Sequence, residues 1–265
     1  MSATASTPLM QQLVCSPCCL PSWSFDELLP AYRSLGFTRM EAFTEWAQGR
    51  LDWHEDPAVA LNKLQTAGME ITSFHLPLIH ENNIEGGLKD ALAAARYAEA
   101  LGAKVLLFKA ANREIFKRIG VRFLDALDNE QIQALPAVQN HKGSAISTVE
   151  DYREVFDFLN DDPRLKAVLE VGHFQRVNVP WQVGWEYLGQ SIALIHVNDI
   201  RDGKSVHYGT GEVDFAGLMR QIKTTNYRGE IVVELELENR ASNPQETLHG
   251  LQKAISLLSE LYDKA

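Results

Sequence analysis

Short runs of apolar and β-branched residues alternate with longer stretches of helical period from one end of the chain to the other. That is the signature of repeated βαβ units and a parallel sheet. Eight runs read as strands: Gln12–Cys15, Arg39–Phe43, Glu70–His75, Lys104–Lys109, Leu135–His141, Ala167–Val171, Ile192–Asn198 and Glu230–Glu236. Between them Ser24–Leu35, Pro57–Ala67, Gly87–Leu101, Asn112–Gln133, Val149–Leu159, Asp214–Thr225 and Pro244–Leu261 read as helices, several opened by Ser, Asp or Asn caps. Gly36, Gly68 and Gly102 each follow a helix and precede a strand, as C-terminal glycine caps do. Eight units in 265 residues give roughly thirty residues each, the size of a βαβ step. The pattern predicts a single (β/α)8 TIM barrel over residues 11–265 with its active site at the C-terminal ends of the strands, and a disordered tail over 1–10. An open doubly wound sheet is the alternative, but no strand is followed by G-x-G-x-x-G or a P-loop.

Composition narrows the partners. With 45% hydrophobic and 23% charged residues the chain has the balance of a soluble globular core, and no apolar run approaches bilayer length, so a membrane is not an expected partner. A formal net charge of −10 repels polyanions, which argues against DNA and RNA. The opening MSATASTPLM lacks the basic and apolar regions of a secretory signal, and the expected location is cytoplasmic. Cys15, Cys18 and Cys19 lie too close together for a disulfide framework and fit a reducing compartment. No second Cys pair completes a zinc site with Cys15 and Cys18, so they read as thiols at the end of the first strand.

The candidate chemistry lies at the strand ends. Glu41 ends the second strand, His75 the third and Lys109 the fourth; Gln139 and His141 end the fifth. Glu170 and His173 follow the sixth, His196 and Asp199 the seventh, and Glu234 lies on the eighth. In a barrel these ends converge on one mouth. Singly each has a plain structural reading: His75 as a satisfied core histidine, Glu41 as a solvated carboxylate, His207 as a loop side chain. Gathered at one end of a core, so many polar groups are costly to bury unless they ligate an ion or one another.

Five segments resemble, in order, motifs of the xylose-isomerase-like superfamily of sugar phosphate isomerases and epimerases. Gln139-Asn-His141 resembles E-N-H, Glu170-Val-Gly-His173 resembles D-x-G-H, and His196-Val-Asn-Asp199 resembles H-x-K-D. The stretch from His207 to Phe215 resembles H-x-P-x-G-x-G-x-I-D-F, and Tyr227 to Glu234 resembles the closing G-Y-x-G-x-x-x-x-E strand. The resemblance implies a divalent metal, Mn²⁺ most readily and otherwise Mg²⁺, Co²⁺ or Zn²⁺, held by Gln139, Glu170, His196 and Glu234. It implies a catalytic role for Glu234 and substrate-binding or orienting roles for His173, Asp199 and His207, while their place at the barrel mouth makes Lys109 and His173 further catalytic candidates and Glu41, His75 and His141 substrate-binding ones.

The sequence departs from the family at two of the four ligands, since Gln139 replaces a Glu and Glu170 an Asp. The set then carries a charge of about −2 rather than −3, so it holds an ion less tightly while cancelling less of its Lewis acidity. In the family's epimerases the carboxylates of strands five and eight act as paired acid and base, and Gln139 cannot titrate in that role. The leading expectation is a metal-dependent isomerase or epimerase of a keto-sugar or related small polyhydroxy carbonyl compound, with Glu234 as base. A lyase or dehydratase acting on a 3-keto-sugar or glycoside is the second reading, and a non-catalytic sugar- or subunit-binding barrel the third. Endonuclease IV shares the fold, but Lys109 stands where it would place a zinc-binding His and Ser205 where its D-x-H pair would begin. Trp23, Trp46 and Trp53 follow the first two strands and are candidates to wall a sugar cleft. The particular sugar, its phosphorylation and any homo-oligomer are left open.

Overall fold

The computed structural model describes residues 9–265. Eight parallel strands close into a barrel in the order β1-β10-β7-β6-β5-β4-β3-β2, with β1 (Leu13–Cys15) pairing both β10 (Glu230–Val233) and β2 (Arg39–Ala42). The others are β3 (Glu70–His75), β4 (Val105–Leu107), β5 (Leu135–Gln139), β6 (Lys166–Glu170) and β7 (Ile192–Val197). A small antiparallel hairpin, β8 (Ile200–Arg201) with β9 (Lys204–Ser205), follows β7 at the mouth. The helices are α1 (Phe25–Ser34), α2 (Pro57–Ala67), α3 (Ile84–Ala100), α4 (Arg113–Asn129), α5 (Val149–Phe158), α6 (Val171–Gln175), α7 (Trp181–Leu188), α8 (Phe215–Thr224) and α9 (Pro244–Lys264). This is a (β/α)8 TIM barrel.

The caps read from sequence are in place. Asp56, Asn112 and Asn243 accept backbone amides at the starts of α2, α4 and α9, and Thr148 and Asp151 form a capping box at α5. Gly36, Gly68 and Gly102 take φ of +94°, +63° and +82°, the left-handed region that closes a helix before the next strand. Helix α7 has no counterpart among the predicted helices. Its interior Gly184 weakens helix propensity, but a Cβ there would lie 2.3 Å from the Phe174 ring, so tertiary packing requires the glycine. Of the predicted tail, residues 1–8 fall outside the described residues, and Leu9 is buried in a 3₁₀ turn over Leu9–Gln11. Among the described residues no helix is long and apolar enough to cross a membrane.

Every second side chain of a barrel strand points inward. Val14, Val105, Leu107, Ala137, Val168, Leu194 and Val232 form an apolar cluster of their own inside the barrel. At the C-terminal edge the eight strands in turn present Ser16, Glu41, His75, Lys109, Gln139, Glu170, His196 and Glu234. Pairing between β2 and β3 shifts register where Met40 faces Ile71 and Glu41 faces Ser73, which leaves Thr72 of β3 as the extra residue. The regular ladder ends below Lys109, His141, Asn198 and Glu236, which the predicted strands included, because the chain there turns outward into the loops of the mouth.

Candidate active site

His196 is the hub. Its ring is closed to solvent, and Nδ1 lies 3.0 Å from Glu170 Oε2, 3.2 Å from Glu234 Oε1 and 3.3 Å from Gln139 Nε2. The registers that place Glu170 beside His196 and pair β10 with β7 bring these groups together. The four residues assigned as ligands by resemblance therefore meet at one point. Gln139 Nε2 also lies 3.4 Å from Glu170 Oε2, and a half-turn of the amide would present Oε1 to the same point.

On the far side of the ring, His196 Nε2 lies 3.3 Å from Glu41 Oε2, which also meets His75 Nε2 at 3.0 Å, while Ser16 Oγ donates to Glu41 Oε1. Burial works to raise the Glu41 carboxyl, but the charge of His196 and the hydrogen bonds of the His196 and His75 imidazoles outweigh it and hold the carboxyl well below the usual range. Burial likewise works to lower His196, and Glu41 and Glu234 outweigh it in the other direction. His75, dominated by burial against the attraction of Glu41, is pulled down to about 4 and is neutral. Glu234 is pushed up to about 7 by burial and by the negative charge of Glu170, against the pull of His196.

One imidazole nitrogen cannot donate to two carboxylates and also accept from the Gln139 amide N–H at once. Glu170 Oε1 is buried without a hydrogen-bond partner, and such an orphan costs roughly 1–3 kcal/mol. Three oxygen-bearing side chains around one imidazole nitrogen form a donor set that fits a hard or borderline divalent cation. Two triads of side-chain donors close enough to share an ion occur among the described residues, Glu170 with His196 and Glu234, and Glu41 with His75 and His196. The first adds Gln139 and opens toward the cavity.

Above this cluster is a cavity of about 230 Å³ bordered by Gln139 and Glu234 below, by His75, Lys109, His141 and His173 at the sides, and by Phe43, Trp46, Phe108 and Ile146 as apolar wall. Lys109 Nζ reaches Glu45 Oε2 at 3.5 Å, and burial lowers its affinity for a proton against the opposing charge of Glu45. The His141 and His173 rings lie against each other, tilted by 34° with centroids 3.7 Å apart. Burial keeps both in the neutral form, and His173 Nδ1 accepts the Lys142 N–H at 3.1 Å.

Three expected substrate contacts lie elsewhere. Glu41 is sealed beneath His75 and His196 and does not border the cavity. Asp199 is buried and accepts the N–H groups of Gly209 and Gly211 at 2.8 Å each and of Val213 at 3.3 Å, so it organises the loop after β9. Gly211 is required there, since a Cβ would fall 2.1 Å from Asp199 Oδ1. His207 packs on Gly250 of α9 and points to Glu246, 3.4 Å away. Of the three tryptophans only Trp46 borders the cavity; Trp53 stacks on His54 and Trp23 packs against the core. Two ionisable cavity residues were not assigned to the site from sequence, Cys18 and Glu236. Glu236 was legible, because it stands two positions after Glu234 and shares its face. Cys18 carried no signal beyond its place after the first strand.

The Xylose isomerase-like TIM barrel family matches residues 29–259. The chain belongs to that family. Among its curated relatives, an inosose dehydratase of Mesomycoplasma hyopneumoniae strain J is 21% identical over 277 residues, covering 90% of this chain and 89% of the relative. An L-ribulose-5-phosphate 3-epimerase of Escherichia coli is 24% identical over 231 residues, covering 79% and 81%. Among solved structures, the IolI protein with a binding zinc atom superposes with a TM-score of 0.75 at 16% identity, covering 95% of this chain and 99% of that one. The family therefore holds sugar epimerases and a dehydratase of related carbonyl compounds.

Proposed function

We propose that this chain is a metal-dependent isomerase or epimerase of a keto-sugar or related small polyhydroxy carbonyl compound, working by removal of a proton next to the carbonyl. The observation that carries this is the convergence of Gln139, Glu170, His196 and Glu234 on His196 Nδ1 directly below the cavity, with Gln139 and Glu234 in both. A divalent ion held by those four residues, Mn²⁺ by its taste for oxygen ligands with one imidazole, would act as a Lewis acid toward a carbonyl.

Glu234 supplies the base. A carboxyl pushed up to about 7 both takes and returns a proton near neutral pH. Gln139 faces the same point and cannot titrate, so a single carboxylate serves one face of the substrate. One base on one face can move a proton between adjacent carbons, which is isomerisation. Inversion at one carbon needs a second group on the other face, and Lys109, His141 and His173 border the cavity for that purpose.

The single-carboxylate arrangement also favours a second reading, a dehydratase. Glu234 takes the proton beside the carbonyl, the bond to the hydroxyl one carbon further on breaks, and the hydroxyl leaves with a proton as water. The similarity to an inosose dehydratase lends it support.

Metal analysis of the protein purified without chelator tests the shared premise. Near-stoichiometric metal in the parent, lost in Glu234→Ala and His196→Ala, is the expected result; a metal-free parent that ignores added Mn²⁺ overturns it. Incubation of keto-sugars in D₂O then separates the readings, because deuterium uptake without loss of water marks an isomerase or epimerase and release of water a dehydratase.

A further inference from the structure

We infer that the compound taken into this cavity is uncharged and carries no phosphate, because the arginines, the glycine loop and the helix N-terminus about the last two barrel strands are each already occupied by a group of this chain. The inference rests on the proposed function and narrows its substrate class. A phosphate monoester carries about −1.5 to −2 charges at neutral pH and is held by arginine forks, by glycine-rich loops or by helix N-termini.

The arginines are spent on Glu236. Its carboxylate lies 3.4 Å from Arg176 Nη2 and 3.6 Å from Arg240 Nη2, and Arg240 Nε donates to the Cys18 carbonyl at 2.9 Å. Glu236 borders the cavity while the two guanidinium groups stand behind it, so an entering anion meets the carboxylate first. The glycine loop is spent on Asp199. Loops after the seventh and eighth barrel strands are where such folds commonly seat phosphate. Here the amides of Gly209 and Gly211, both aimed at one point, already donate to Asp199 Oδ2 at 2.8 Å each. Helix α9, which follows the eighth barrel strand, is spent as well: Asn243 Oδ1 accepts the Glu246 N–H at 3.3 Å, and the Glu246 carboxylate sits in the first turn.

Inside the cavity Lys109 is the only lysine or arginine among the described lining residues, and Glu45 lies against it at 3.5 Å. Glu234 and Glu236 face it. What remains suits a neutral ring: hydroxyl-sized donors and acceptors on His141 and His173, and Phe43 and Trp46 to lie against C–H faces. At about 230 Å³ the cavity falls short of the usual range for larger ligands and is of monosaccharide size.

The test uses matched pairs, D-fructose with D-fructose 6-phosphate and D-ribulose with D-ribulose 5-phosphate, titrated calorimetrically into the protein as purified and assayed for deuterium uptake. Each free sugar should bind roughly tenfold or more tightly than its phosphate, as like charges brought together at a binding surface require. Glu236→Gln frees Arg176 and Arg240 and should narrow that gap by strengthening the phosphorylated member. A parent that prefers the phosphorylated member overturns the inference and leaves the proposed chemistry standing. A protein that neither binds nor exchanges any member of either pair overturns both. An unchanged gap in Glu236→Gln, measured on folded protein, removes the arginines as its cause and overturns the argument made from them.

Discussion

Two layers of the barrel interior, one step of the pleat apart, are built from different materials. In the lower layer Val168, Leu194 and Val232 pack with their neighbours into a sealed apolar cluster. In the upper layer the same strands carry Glu170, His196 and Glu234, which are also buried but ionisable, with Glu234 bordering the cavity. Backbone, pairing and burial are shared, so the difference lies in side-chain chemistry alone. The lower layer gains free energy by leaving water. The upper one loses it, holding buried carboxylates around one imidazole and leaving Glu170 Oε1 without a partner. A barrel keeps such an arrangement where the strain of gathered charge is put to use, and the lower layer offsets its cost.

The largest effect should come from carrying the chemistry of the upper layer into the lower. Leu194→Asp puts an unpaired carboxylate into the sealed cluster, and urea unfolding should show a loss of more than about 4 kcal/mol or no folded protein. His196→Ala, two residues along the same strand, should fold and lose metal; equal destabilisation by the two would mean that the upper layer is structural. Glu234→Gln should lower kcat by roughly 10²–10⁴-fold, the usual contribution of a positioned base. Its unfolding midpoint near neutral pH should hold or rise, since it removes a carboxyl whose ionisation burial opposes. Retained activity would end the case for that base.

Smaller effects sharpen the contrast at the rims. Gly211→Ala drives a Cβ to 2.1 Å from Asp199 Oδ1 and should cost about 1–3 kcal/mol by displacing the loop after β9; a stability equal to the parent would show that the loop is not held as tightly as its amides suggest. At the opposite end of β10, burial raises the proton affinity of Glu230. A carboxyl raised in the folded state disfavours folding once pH exceeds its ordinary 4.5, because the unfolded chain ionises it freely. Glu230→Gln should therefore stabilise at neutral pH by about 1 kcal/mol or less, with the gain fading as pH falls toward 4.5. A gain that persists in acid would assign the effect to something other than ionisation.

The sequence by itself determined the alternation of eight strands with helices, the glycines that end α2 and α3, and the row of polar residues at the strand ends. Those features are local: period two against period 3.6, a left-handed cap, a run that changes from Val and Leu to Glu and His. It also carried the motifs on which Gln139, Glu170, His196 and Glu234 were paired with one another. Only the tertiary structure decided which polar residues face the same space. Glu41 and His75 end neighbouring strands, yet closure of the barrel seals one beneath the ring of His196 and leaves the other on the cavity wall. Asp199 and His207 lie in motifs as suggestive as that of His196, and the fold turns the first onto loop amides and the second onto Glu246. Glu236 was read as the end of a strand, and closure of the barrel set it between two arginines and the cavity. Periodicity fixes the direction of a side chain relative to its own strand, whereas distance to a side chain on another strand depends on register and curvature, which arise only when all eight strands close on one another.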